Sequence, residues 1–199
     1  MRDFEDAKRE VIELFATSRW VRWIHEGFRP AYTDKEKEDN RVLSDEMLRK
    51  HCSICLNING CCFPENNMPK YLLHPHCHCF IVPVYDLTVR AECDIAKFSD
   101  YIFHPTRNRG KKALYEGWGY DIIDSKWLQS EFISQATQKY AVGDFELGLI
   151  NEYGQRISIR IIIPRKDRIG ALSIITGWMV YPDGLIKLVT PYAGHDFIM

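Results

Sequence analysis

Residues 145–192, FELGLINEYGQRISIRIIIPRKDRIGALSIITGWMVYPDGLIKLVTPY, decide the fold class. FELGLI leads into a turn at Asn151 to Gly154, and RISIRIIIP follows. Pro164 to Gly170 reads as a charged loop. ALSIITGWMVY then runs into Pro182-Asp183-Gly184, and LIKLVTPY closes the stretch. Asp-Gly between two apolar runs is a hairpin signal, because both residues tolerate the positive φ of a tight turn. The pattern predicts about four antiparallel strands.

Upstream of these strands the periodicity changes. Ala113 to Trp118 and Lys126 to Tyr140 read as helices, residues 93–103 as another, and Gly143 and Asp144 end the run. At the start of the chain, Phe4, Ala7, Val11, Leu14 and Phe15 recur at helical spacing, which predicts a helix over 3–26 ended by Gly27 and Pro30. Ser44 followed by Met47 and Leu48 reads as the start of a short helix. Residues 33–41, TDKEKEDNR, read as a solvated surface. Helices followed by a strand cluster make an α+β class, with C-terminal helices packed on a roughly four-stranded antiparallel sheet. Composition shifts near residue 90. The expected units are 1–90, helical with a metal knuckle, and 91–199, α+β.

The chain has 199 residues, 46% of them hydrophobic and 27% charged, which is the balance of a folded globular protein. A net charge of −1 provides no global field for nucleic acid, so any RNA contact must come from a local patch. No stretch approaches the ~20 apolar residues of a membrane helix. No apolar leader follows Met1, so a cytoplasmic location is expected, with virion association or delivery to a target cell as variants.

Six of the seven cysteines lie between Cys52 and Cys79. Cys52 and Cys55 are spaced C-x2-C, and Cys77 and Cys79 are spaced C-x-C. Two such pairs about twenty residues apart are the spacing of a closed tetrahedral zinc site. One structural zinc per chain is therefore expected, held by Cys52, Cys55, Cys77 and Cys79. His74, His76 and His78 lie close by, and one of them is an alternative to a cysteine. The segment has little apolar surface, so the metal would supply the order that a core cannot. FIVPVY, residues 80–85, reads as a strand with a proline at a sheet edge.

The stretch CSICLNINGCCFPENNMPKYLLHPHCHCFIVPV resembles the C-terminal motif of phage Mu F-like head-morphogenesis proteins. That motif pairs C-x2-C with a glycine and an aromatic-proline step, then His-Pro-x-Cys-x-Cys and a short strand. Cys52, Cys55, Gly60, Phe63, Pro64, His74, Pro75, Cys77 and Cys79 supply it here. Cys61, Cys62 and His78 depart from it. The resemblance covers about 35 residues and implies a zinc module of phage origin.

DIAKFSDYIFHP, GKKALYEGWGY and TGWMVYPDGLIKLVTPY resemble, in that order, a domain found in bacterial polymorphic toxins. Its layout is similar to the barnase–EndoU–colicin–RelE class of ribonucleases. The resemblance implies a metal-independent endoribonuclease acting on RNA such as tRNA, with an immunity or phage structural protein as partner.

Cleavage of RNA by its own 2′-hydroxyl needs proton transfer and a cation for the phosphorane charge. His104, Arg107, Arg109, Lys111 and Lys112 form a basic stretch beside a helix start. Arg156 and Arg160 alternate along one strand, as do Thr190 and Tyr192. The candidate catalytic residues are Lys111 as cation, Arg156 for the transition state, and Thr190 and Tyr192 for positioning. The candidate RNA-binding residues are Arg107, Arg109, Lys112 and, by stacking, Trp178. The alternative is a non-enzymatic morphogenesis or interaction module whose zinc knuckle is a docking element.

Overall fold

The computed structural model describes residues 20–25, 53–71, 73, 77 and 79–198. It is a mixed α+β protein, with eight strands in two sheets among the described residues. The larger sheet has five strands in the order β4-β8-β7-β6-β5, formed by Arg90–Glu92, Leu185–Ile198, Ala171–Val180, Gly154–Pro164 and Glu146–Asn151. The smaller has three, β2-β1-β3, formed by Cys62–Pro64, Trp20–His25 and Cys79–Val84.

Period-two alternation builds the larger sheet. Ile157, Ile159, Ile161 and Ile163 on β6 are fully buried, while Arg156, Ser158 and Arg160 between them face away. β6 pairs antiparallel with β7, so that Ile157 opposes Trp178 and Ile161 opposes Ile174. At the β7–β8 turn, Asp183 and Gly184 both take positive φ, 59° and 73°, as the Asp-Gly signal requires. Helix α3, Ser125–Val142, buries Leu128, Phe132, Ala136 and Tyr140, spaced four apart on one face. It starts after a capping box at Asp121, whose side chain accepts from Ile123 N while Asp124 accepts from Asp121 N. Gly143 ends it at φ 78°, where its N–H bonds the Tyr140 carbonyl.

Four differences from the sequence expectations have physical causes. Residues 20–25, placed in the helix over 3–26, form β1. This stretch, WVRWIH, is rich in β-branched and aromatic residues, and it is buried on both faces as the central strand of its sheet. The rest of that helix, and the one begun at Ser44, lie outside the described residues. Residues 93–103 hold only a π-helical turn over Lys97–Ile102, in which Phe103 N bonds Phe98 O. The cysteine segment carries its own short elements, helix α1 over Ser53–Ile58 and strand β2. The large sheet gains a fifth strand, β4, running parallel to β8 and only three residues long. Three residues are too few to show a period. Helix α2, Lys111–Gly117, and α3 match the expected helices with shifted ends, and β3 takes an edge position with Pro83.

The boundary expected near residue 90 falls at the entry into β4, yet one apolar cluster runs through both sheets. Trp20 of β1 packs edge-on against Tyr140 of α3, with ring centroids 5.5 Å apart. The Tyr140 hydroxyl, buried and kept protonated by that burial, donates to the Cys62 carbonyl. Asn67 Nδ2 donates to the carbonyls of Gly143 and Phe145 at the end of α3. The β7–β8 turn reaches back, with Asp183 2.9 Å from Arg22 and its N–H on the Gly60 carbonyl. Among the described residues no helix is long and apolar enough to cross a membrane.

Tyr140→Phe removes one buried hydrogen bond between the two sheets. It should lower the free energy of unfolding by about 1–2 kcal/mol in urea titration. An unchanged midpoint would show that the bond contributes nothing to joining the sheets.

Candidate metal centre and basic sheet face

Three thiols converge at the smaller sheet. Helix α1 carries Cys55, the following loop carries Cys77, and β3 opens with Cys79. The Cys55 and Cys77 sulfurs are 3.7 Å apart, and all three sulfurs lie within 4.8 Å of one another. A tetrahedral Zn–S bond of ~2.3 Å gives a sulfur–sulfur edge of about 3.8 Å. The cluster thus has the dimensions of three corners of such a site. Gly60 makes the intervening turn possible. Its φ is 79°, and a Cβ there would sit 3.2 Å from Pro182 Cβ.

The thiols differ in acidity. Burial raises Cys55 most, and hydrogen bonds with Cys79 and Cys77 raise it further. Burial also raises Cys79, against the pull of the Trp23 indole. Burial pushes Cys77 upward too, but N–H groups of Cys79 and Leu73 and the neighbouring thiols outweigh it, leaving Cys77 below the usual value. Cys77 is therefore the most acidic of the three. A divalent cation is what would let all of them ionise together.

Of the expected ligands, the structure brings Cys55, Cys77 and Cys79 together. Cys52 lies outside the described residues, as do His74, His76 and His78. Cys61 and Cys62 do not join the cluster. The Cys61 sulfur is 3.8 Å from the Val180 carbonyl, and the Cys62 sulfur accepts from Arg22 Nε at 3.5 Å. Burial pushes Cys61 and Cys93 up to about 12 each, so both behave as inert core thiols.

The candidate catalytic residues fall into two pairs. Register places Ser158 and Thr190 on either side of Gly177. A Cβ at Gly177 would lie 3.4 Å from Arg156 Nη2 and 3.8 Å from Thr190 Oγ1, so a guanidinium and a hydroxyl flank the same bare position. At the other pair, Lys111 Nζ donates to Tyr101 Oη at 3.0 Å and lies 6.0 Å from the Tyr192 ring. Thr190 and Tyr192 are two residues apart on β8, which joins the pairs. The Tyr115 hydroxyl fixes the strand between them by donating to the Pro191 carbonyl. Arg160, on the same face of β6 as Arg156, donates to Ser173 Oγ at 3.2 Å.

The expected RNA-binding residues are dispersed. Arg107 and Arg109 are exposed on a loop organised by His104, whose Nδ1 accepts from the N–H groups of Thr106 and Arg107. Lys112 lies 3.6 Å from Glu116 one helical turn on. Trp178 corrects the expectation. It is fully buried, and its indole N–H donates to Thr176 Oγ1 at 2.7 Å, so it has no face to offer a base. Its alternation with Thr176 and Ile174 already places it on the core side of β7.

Tyr101, Gly177 and Trp23 were not singled out in the sequence. Only Gly177 carried a readable signal, since a glycine inside a strand marks a bulge or a close approach. A register shift does occur there. No family model matches the chain, and no match was found to a curated protein or to a solved structure.

Cys55→Ser or Cys77→Ser should abolish metal uptake, while Cys61→Ser and Cys62→Ser leave it intact, as read by elemental analysis. Affinity should fall as pH falls, because protons compete with the metal for thiols whose pKa burial raises. Equal uptake by all four variants would place the metal elsewhere.

Proposed function

We propose that the protein is a zinc-stabilised, metal-independent endoribonuclease of phage or prophage origin, with its active face on the outer side of the five-stranded sheet. The observation that carries this is the meeting of Arg156 and Thr190 over Gly177, beside the Lys111–Tyr192 pair. The two pairs draw on β6, β8 and α2, and 81 positions separate Lys111 from Tyr192 in the chain. A guanidinium and a hydroxyl beside the same glycine are donors suited to the oxygens of a phosphate.

The reaction is internal transesterification: the 2′-hydroxyl gives its proton to solvent as its oxygen attacks phosphorus, a 2′,3′-cyclic phosphate forms, and the 5′-oxygen leaves as a hydroxyl by taking a proton from solvent. Arg156 binds the non-bridging oxygens as charge develops on the phosphorane. Thr190 donates to the same oxygens. Lys111, held by Tyr101, adds positive charge beside Tyr192, and Tyr192 lines the sugar position. The zinc, held by Cys55, Cys77 and Cys79 with a fourth ligand from Cys52 or a nearby histidine, orders the knuckle and takes no part in the step. Soft thiolates favour zinc over magnesium or calcium. Cytoplasmic RNA such as tRNA is the proposed substrate, and an immunity protein the proposed partner.

A second reading is a non-enzymatic morphogenesis or interaction module. It is supported by the outer edge of β5, where Leu149 is 86% exposed at an irregularity in the strand. A free edge with exposed leucines is a template for pairing with another chain.

Incubation of the zinc-loaded protein with tRNA and a mixed RNA pool, with EDTA-treated and folded controls, tests the first reading. Discrete cleavage should appear and persist in EDTA while circular dichroism reports a folded chain. Lys111→Ala and Arg156→Ala should each lower the rate at least ~100-fold, the scale of a lost transition-state donor. Gly177→Ala adds a methyl group in van der Waals contact with Arg156 and Thr190, and should weaken RNA binding with little change in Tm. Intact RNA from a folded sample would overturn the enzyme reading.

A further inference from the structure

Trp23 stands out from every other buried polar group. It is fully buried, and its indole nitrogen is the one buried side-chain nitrogen or oxygen among the described residues with no hydrogen-bond partner. Orphaned buried donors cost about 1–3 kcal/mol, so proteins rarely keep them without a role. β1 and β3 pair antiparallel, with Trp23 opposite Ile81 and His25 opposite Cys79. Cys79 is therefore the diagonal cross-strand neighbour of Trp23 on the same face, within reach of an aromatic side chain. The Tyr71 ring holds the indole from the side, at 5.9 Å and 65°, and its hydroxyl donates to the Cys79 carbonyl. A neutral S–H is a weak acceptor, whereas a metal-bound thiolate is a good one.

We infer that Trp23 is the outer-sphere hydrogen-bond donor to the Cys79 thiolate of the metal centre, and that metal loading is what gives its indole N–H a partner. The inference rests on the metal centre proposed above. The bond draws electron density from the sulfur, steadies its orientation and makes the thiolate easier to form beside two others. It also makes Trp23 an optical reporter of metal occupancy.

The test uses the whole chain loaded with zinc, with 113Cd and with Co(II). In the 113Cd protein, the Trp23 indole proton, assigned through its contact with the Tyr71 ring, should show scalar coupling to the metal across the N–H···S bond. Trp23→Phe should weaken metal affinity about tenfold, the lower end for a lost outer-shell partner. It should also move the sulfur-to-cobalt charge-transfer band to longer wavelength. Trp20→Phe, on the opposite face of the same strand, should affect stability without moving that band. A loaded wild-type protein with no coupling, or a Trp23→Phe protein with unchanged affinity and band position, overturns the inference and leaves the metal centre standing. A folded wild-type chain that takes up no metal overturns both. The coupling is read on wild-type protein, so a poorly folding variant does not remove the test.

Discussion

Three sulfur atoms within 4.8 Å of one another, in a pocket that raises two of their pKa values, form the constraint from which the smaller sheet is built. Like charges at that separation repel strongly in a low-dielectric site. Either the thiols stay largely protonated or a cation shares them. The sheet they brace has a three-residue edge strand, β2, and a second edge, β3, interrupted by Pro83. So small a sheet cannot supply its own order through apolar burial alone. Docking against α3, within the apolar cluster that both sheets share, contributes to that order.

Docking makes the two sheets mechanically one body. The contacts come in two groups, and both reach Cys62. Tyr140, Trp20 and Asn67 tie the end of α3 to β1 and the turn after β2. Arg22, Gly60 and Cys61 receive the Pro182-Asp183 turn. The same turn reverses the chain from β7 into β8, the strand that carries Thr190 and Tyr192. The turn that leads into β8 thus rests on the cysteine-bearing segment.

The polar face itself follows from a division of labour along β6. Its isoleucines cover α3, and the residues between them carry the two arginines and Ser158. Gly177 is where this pattern changes character. A β-branched residue there would close the sheet surface, as it does elsewhere on β7. Arg156 and Thr190 border the glycine, and the strand register shifts at that point.

The sequence by itself determined much of this. The alternation in RISIRIIIP, the Asp-Gly turn and the four-residue spacing in α3 made the antiparallel core and its main helix legible, because each is a local period that burial enforces. The cysteine spacing made a thiol cluster legible for the same reason, since knuckle geometry is set by a few bonds. Tertiary structure alone decided the rest. Trp20–His25 becomes a strand because it lies between two others, a context that no local pattern carries. β4 is too short to have a pattern at all. Cys61 and Cys62 match the cluster in type and proximity along the chain, yet strand pairing turns their sulfurs toward Val180 and Arg22. Trp178 is committed to the core by pairing opposite Ile157. Arg156 meets Thr190 only because three strands lie side by side, and the register of strands distant in sequence is fixed by packing that a single sequence does not spell out.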